Sequence, residues 1–393
     1  MNAIKKSLYW AILAFVFVMP LSSDACVKIL IVAFVLSFFV KDPPTIRTFN
    51  LAWDIIPFVL VLCAGLLYSA NVEDGYRVLE TSFSLIAVPF VINKTRHLYV
   101  NILVNVFNAF SLGLIAACSY ALVVAFNNYS ATGDLHSFFF YQLTDPIHSH
   151  PTYLAYYLIF DITLGLYILY YGGDNRVPRI LIAIVTIFAF GMLMLTGGRT
   201  AFVSLLLICS FFVLKRIVEK GSLWKNIVFA MVIFIIGFTL LGNSIEQWQS
   251  QLAESDYWER WSLWTAGIDA NTDVIFGVGT GDYKDVLNKY YLTHDLEEFA
   301  AGNFNAHNQF IQMYLSNGLI GLLCLALLIA RPLYLAVQSK YTIGILIFFP
   351  FIIYGMNEVF LGRFQGLVFF IFLHQLVTSH GIDNRPSELL KVG

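Results

Sequence analysis

Apolar runs separated by short polar joints recur along most of this chain, beginning a few residues after the N-terminus. A segment surrounded by lipid must satisfy its own backbone hydrogen bonds, so helix is the expected state of each run. A helix needs about 20 apolar residues to span a bilayer. On that measure twelve spans are expected, near 7–21, 26–40, 52–69, 81–93, 98–126, 152–172, 180–196, 200–214, 226–242, 308–330, 342–356 and 364–378. The first, second, fourth and eighth are short and read as tilted or incomplete. One long polar segment stands apart, from Asn243 to His307. The pattern therefore predicts spans one to nine in 1–242, a large loop in 243–307, spans ten to twelve in 308–380 and a loose polar tail in 381–393. Long loops held by a rigid scaffold are where recognition and chemistry concentrate.

Inside that loop, Ser244 to Asn271 predicts a helix with Trp248, Leu252, Trp258, Trp261 and Trp264 as its apolar and interfacial residues. Trp favours the headgroup boundary, so this helix is expected to lie flat on the membrane. Phe276-Gly277-Val278-Gly279-Thr280-Gly281 predicts a turn. Its glycines resemble a phosphate-cradling loop, but no Lys-Ser/Thr follows and no strand precedes, so a nucleotide site is not expected there.

Composition sharpens the class. Of 393 residues, 59% are hydrophobic and 16% aromatic, while 12% are charged, against about 25% in soluble domains. The mean hydropathy is +0.74. An all-α polytopic membrane protein is expected. The net charge of −2 says little, because the charges segregate by side. Cys26, Cys63, Cys118, Cys209 and Cys324 all fall in apolar runs without a CxxC pattern, and read as small packing residues. Lys5 and Lys6 precede the first run, but without a small-residue cleavage site and with more spans behind it, a retained first span is expected.

Basic residues accumulate in cytoplasmic loops. With the N-terminus inside, sixteen of the 23 Lys and Arg fall on its side. Arg77, Arg199, Arg260, Lys284, Lys289 and Arg363 fall opposite, and Lys28 lies within the second span. Both termini are thus expected in the cytoplasm and the 243–307 loop outside it. Lys28, Asp54 and Asp161 are costly in lipid and are expected to pair or face a cavity, as an internal ion pair or as a relay.

Three residues at the outer ends of spans are the candidate chemistry. Arg199 ends a short turn between spans seven and eight, Arg260 lies in the loop helix, and His307 stands at the mouth of span ten, followed by Asn308 and Gln312. Each alone reads equally as a headgroup anchor or an interfacial residue. Together they suit a lipid-linked diphosphate. Arginine grips phosphate through a permanently charged bidentate fork, and a near-neutral histidine can accept a proton from an attacking hydroxyl. Such chemistry needs no metal, and no DxD pair suggests one.

These residues also resemble a known family. Leu195-Thr196-Gly197-Gly198-Arg199-Thr200-Ala201 is similar to a Thr/Ser-x-x-Arg turn. Glu259-Arg260-Trp261-Ser262-Leu263-Trp264, followed by Ile275-Phe276-Gly277-Val278-Gly279, resembles an Arg-containing loop helix and a Gly-x-Gly turn. Ala306-His307-Asn308-Gln309-Phe310, with Asn317-Gly318-Leu319-Ile320-Gly321, resembles a His-Asn-x-x-Leu and Gly-Leu-Ile-Gly signature, with Phe310-Ile311 as a departure. His150-Pro151-Thr152-Tyr153-Leu154-Ala155 and the Glu358 to Arg363 segment are similar to further parts of the pattern. The family is the O-antigen ligase and polymerase superfamily of bacterial envelopes, and the likeness covers about residues 145–365.

The resemblance implies about twelve transmembrane helices with one large periplasmic loop containing helices, in the bacterial inner membrane, with the active site facing the periplasm. It implies an inverting, metal-independent glycosyltransferase without cofactors. As an O-antigen ligase the protein would move glycan from undecaprenyl diphosphate to a sugar hydroxyl of lipid A–core. His307 would be the base, and Arg199 and Arg260 would hold the diphosphate. Asn308, His150, Glu358 and Arg363 are candidate substrate-binding residues. His148 and His150 also read as plain loop histidines, and Glu358 and Arg363 as a simple ion pair. Expected partners are the carrier-linked donor, the lipid A–core acceptor and membrane lipids, and no nucleic acid. A polymerase would use the same chemistry with a second carrier-linked glycan as acceptor. A protein-directed oligosaccharyltransferase is a third reading, which no fused extra domain supports. A transporter or flippase built on Lys28, Asp54 and Asp161 is a rival of a different class; it lacks inverted repeats and leaves Arg199, Arg260 and His307 unexplained.

Overall fold

The computed structural model describes residues 3–40, 53–95, 102–171, 178–220 and 255–383. Among the described residues the chain is helical and contains no strand. In chain order the helices are α1 (Ala3–Val18), α2 (Ser23–Phe38), α3 (Ile55–Leu67), α4 (Val72–Ser82), α5 (Ser84–Thr95), α6 (Ile102–Thr132), α7 (Phe140–Thr144), α8 (Pro151–Tyr171) and α9 (Arg179–Thr196). There follow α10 (Arg199–Lys220), α11 (Ser255–Asp269), α12 (Tyr283–Thr293), α13 (Glu297–Ala301), α14 (Gln309–Gln338), α15 (Thr342–Phe348), α16 (Pro350–Gly355) and α17 (Phe364–Asp383). Helices occupy eleven of the twelve expected segments. The remaining segment, 226–242, lies outside the described residues, as do Trp248, Leu252 and the tail beyond 383.

Five of these stretches are long and apolar enough to cross a membrane: Val72–Lys94, Val104–Thr132, Pro151–Tyr171, Arg179–Thr196 and Gln309–Gln338. Ile55–Leu67, Thr342–Gly355 and Phe364–Ser379 are shorter apolar helices. The protein is therefore a multi-pass membrane protein, all-helical among its described residues.

Some boundaries differ from expectation. α6 runs past the apolar run to Thr132, where Gly133 takes a left-handed conformation (φ 72°) and its amide donates back to Tyr129 at 2.7 Å. That is a glycine C-terminal stop, a backbone state that residues with a Cβ resist. α17 continues to Asp383, past the expected start of the tail at Gly381.

α8 forms the axis of the bundle and is buried along most of its length. Its aromatic side chains interlock with those of α6, α16 and α17: Phe160 meets Phe110 edge-on at 5.0 Å, Tyr157 meets Phe369 edge-on at 4.8 Å, and Tyr156 stacks on Tyr354 at 4.4 Å. Such ring pairs add to the area term and fix the helices in one register. Asp54 pairs with Arg331 of α14 and with His374 Nε2 of α17 at 2.8 Å, and the Arg331 guanidinium lies 4.8 Å from the centre of the Trp53 ring. Asp54 is thus an internal ion pair. Asp161 is not one among the described residues: the Ser111 hydroxyl donates to its Oδ1, and its buried Oδ2 has no hydrogen-bond partner there. Lys28 has no ion-pair partner among the described residues and is exposed near the start of α2, where its long stem can reach an interface.

The glycine-rich turn has a structural task. α14 breaks at Asn317 and Gly318, whose φ of 62° and ψ of −160° suit glycine alone. The break frees backbone groups, and the turn bonds them. Val278 and Gly279 amides donate to Leu315 and Ser316 carbonyls at 2.9 Å each, while Leu319 and Ile320 amides donate to Val274 and Ile275 carbonyls at 2.9 and 3.3 Å. Thr280 and Gly281 then dock on α3 and the residues just after it, through the Leu62 carbonyl and the Ser69 hydroxyl, both at 2.9 Å. The amides of this turn are occupied by protein acceptors.

Candidate functional site

The site forms where the α9–α10 turn, α11, the start of α14, the α16–α17 connection and the segment before α8 converge. Gly197 adopts the left-handed state (φ 64°) at the end of α9, and a Cβ there would sit 2.1 Å from the Phe140 ring. Glycine thus lets Phe140 lie against the turn that presents Arg199, the exposed first residue of α10. Helix N-termini favour anions through their unpaired amides and dipole.

Arg260 projects from α11 and donates from one guanidinium nitrogen to the Asn357 carbonyl at 3.0 Å and to the Asn357 side-chain oxygen at 3.3 Å. Three consecutive residues after α16 serve three parts of the site. Met356 offers its carbonyl to Asn308 Nδ2 at 3.2 Å, Asn357 holds Arg260, and Glu358 Oε2 stands 3.8 Å from His307 Nδ1. Asn357 was not among the candidates; its only signal was a polar Asn-Glu pair at the end of an apolar run.

His307 has a positive φ of 42°, and its amide donates to Asn305 Oδ1 at 2.8 Å. Burial pushes its imidazole below the ordinary histidine value; Glu358 opposes this, and Arg260 and Arg363 add to it. That direction favours the uncharged ring, the state a base requires. Asn308 does not line the cavities described below. Its Oδ1 caps α14, accepting from Phe310 and Ile311 amides at 2.9 and 3.1 Å, while its Nδ2 tethers Met356.

Two cavities meet here. One of about 610 Å³ is lined by Arg199, Arg260, Trp261, Trp264, Thr200 and Asn357, among others. Another of about 720 Å³ is lined by His307, Glu358, Arg363, Asp145, His148 and Asn305, among others. The two arginines therefore share a chamber, and the histidine occupies the next one. Tyr141 and His150 line both and form the partition. Glu358 and Arg363 do not pair; the carboxylate turns to His307, and the Arg363 guanidinium is exposed to the second chamber. Among the described residues no cluster of His, Cys, Asp and Glu has the form of a metal site.

Comparison with known proteins follows the same residues. Residues 184–326 match the profile of the family described as O-antigen ligase. The matched stretch contains Arg199, Arg260 and His307, and ends before Glu358 and Arg363. An uncharacterized protein of Haemophilus influenzae (strain ATCC 51907 / DSM 11121 / KW20 / Rd) is 24% identical over 206 residues, covering 45% of this chain and 50% of that protein. The chain thus spans about half the length of that curated relative.

Proposed function

From a chain whose residues 184–326 match the family described as O-antigen ligase, we propose an O-antigen ligase that joins glycan from undecaprenyl diphosphate to a sugar hydroxyl of lipid A–core on the periplasmic side of the inner membrane. The observation that carries this reading is the pair of adjoining chambers. One presents two guanidinium groups, and the other presents a neutral imidazole backed by a carboxylate.

The diphosphate sits between Arg199 and Arg260, which bind it as forks and stabilise the charge that grows on it. The acceptor enters the second chamber. Its hydroxyl oxygen bonds to the anomeric carbon from the face opposite the leaving group, inverting that centre. The bond from that carbon to the phosphate oxygen breaks, and its electron pair leaves with the diphosphate. The hydroxyl proton passes to His307 Nε2, the nitrogen turned away from Glu358, and the resulting imidazolium is held by that carboxylate. Asn308 and Asn357 keep the histidine and Arg260 in place. The flanking apolar helices would bind the polyprenyl tail.

The test is purified protein in lipid nanodiscs with carrier-linked donor and lipid A–core. Glycan joined to lipid A–core supports the ligase, and longer carrier-linked chains would make it the polymerase instead. Movement of donor between leaflets without bond formation would overturn both. His307→Ala and Arg199→Lys are each expected to stop transfer while the protein still folds, because a lysine point charge does not reproduce the fork.

A further inference from the structure

Tyr141 is the one residue that lines all three cavities described at this end of the molecule. Besides the arginine and histidine chambers it borders a third, of about 430 Å³, formed with His136, Phe139, Phe140 and Gln142. The reactants of a glycan transfer have a matching topology. The sugar being transferred is the only fragment joined to the leaving diphosphate, approached by the acceptor, and continuous with the rest of the glycan. A residue at the junction of the three chambers lies beside that sugar.

The local hydrogen bonds orient Tyr141 for such a contact. The Thr152 amide donates to His150 Nδ1 at 3.3 Å, so the proton of the neutral imidazole is on Nε2. Nε2 is 2.9 Å from the Tyr141 hydroxyl and therefore donates to it. The phenol oxygen is filled as an acceptor from behind, and its own O–H is left to donate into the junction. Burial, with Glu358 and Asp145 nearby, keeps the phenol above its usual range, so it remains a donor. Burial likewise pushes His150 down, which preserves the neutral tautomer. Phe140, next in the chain, has a positive φ of 50°, a strained backbone state of the kind that gathers at functional sites.

We propose that the Tyr141 hydroxyl donates a hydrogen bond to the transferring sugar at the junction of the three chambers, that His150 positions it, and that the aromatic 139–142 segment carries the glycan beyond that sugar. This rests on the transferase reading above.

The experiment uses the full chain in nanodiscs with lipid A–core and two carrier-linked donors, one bearing a single sugar and one an oligosaccharide. Tyr141→Phe keeps the ring against His150 and removes only the hydroxyl. It is expected to lower kcat about a hundredfold, the lower end for loss of one oriented donor, with the KM for acceptor unchanged. His150→Leu should show a similar loss. His150→Gln, whose amide still reaches the phenol, should lose less than His150→Leu. Phe139→Ala should raise the KM for the oligosaccharide donor and spare the single-sugar donor. A kcat for Tyr141→Phe equal to wild type, or the same rate for His150→Gln and His150→Leu, overturns the proposal. His307→Ala separates the two readings: if it is inactive while Tyr141→Phe is unaffected, only the junction inference fails, whereas an active His307→Ala removes the transferase mechanism itself.

Discussion

Replacing Gly277 with alanine tests how the loop is seated in the broken helix. Its φ of 74° is strained for alanine, and the new methyl would lie 2.5 Å from the Gly318 nitrogen and 2.6 Å from both the Asn317 nitrogen and the Ser316 carbonyl carbon. These are backbone atoms that cannot rotate away, and ordinary contact needs about 3.5 Å or more, so the seat must open by about 1 Å. Opening it releases the amide bonds of Val278, Gly279, Leu319 and Ile320, at 2.9, 2.9, 2.9 and 3.3 Å. At about 1 kcal/mol net each, these sum to about 4 kcal/mol. The left-handed backbone adds about 1–2 kcal/mol, and the stiffer unfolded chain returns about 0.5 kcal/mol. A loss of about 5 kcal/mol is large beside a typical stability of about 5–15 kcal/mol. Gly133 is the internal control, because it has nearly the same φ, 72°, with nothing within 4 Å of its would-be Cβ. Gly133→Ala should cost about 1 kcal/mol. Thermal midpoints in one detergent, with hydrogen exchange read at the four amides, separate the two. Equal midpoints for both variants, with exchange at those amides unchanged, would refute the interlock.

Three further outcomes follow from the site and the bundle. Glu358→Gln removes the group that raises His307 while burial, Arg260 and Arg363 still lower it; the acid limb of the kcat/KM–pH profile should move to lower pH and the plateau should fall, and a limb moving upward contradicts this. Asn308→Ala should cost about 1 kcal/mol as a lost cap. Asn308→Asp keeps the acceptor for Phe310 and Ile311 but loses the donor to Met356, so it should melt near wild type with slower transfer; full activity would show that the tether does not position the site. Asp54→Asn removes the carboxylate that faces the buried Arg331 guanidinium and should cost about 3–5 kcal/mol, partly recovered with Arg331→Met, and an unchanged melting curve would refute the pairing.

The chemistry was legible in part. Arg199, Arg260 and His307 stood out as basic or titratable groups on the side opposite most of the chain's Lys and Arg, and the structure gathers them at one end of the bundle in two adjoining chambers. The sequence reading of Glu358 and Arg363 left their partner open, and the geometry turns Glu358 to His307. Asn357 and Tyr141 escaped notice, since an asparagine and a tyrosine at a membrane boundary carry no distinctive local signal. The glycine-rich turn carries no nucleotide-site signature in sequence, and its bond to the break in α14 was invisible there, because nothing in Asn317-Gly318 names its partner.

The division has a physical cause. Lipid penalises every unsatisfied backbone group, so the helical segments follow from local composition, and chain order alone sets where Arg199, Arg260 and His307 fall relative to them. Long-range contacts are settled differently. Arg260 meets Asn357 across 97 residues, and Tyr68 meets the Phe276 carbonyl across 208. Such pairs depend on how whole helices pack, on where a helix breaks and on which hydrogen bonds remain to be filled, and those quantities exist only once the chain has folded.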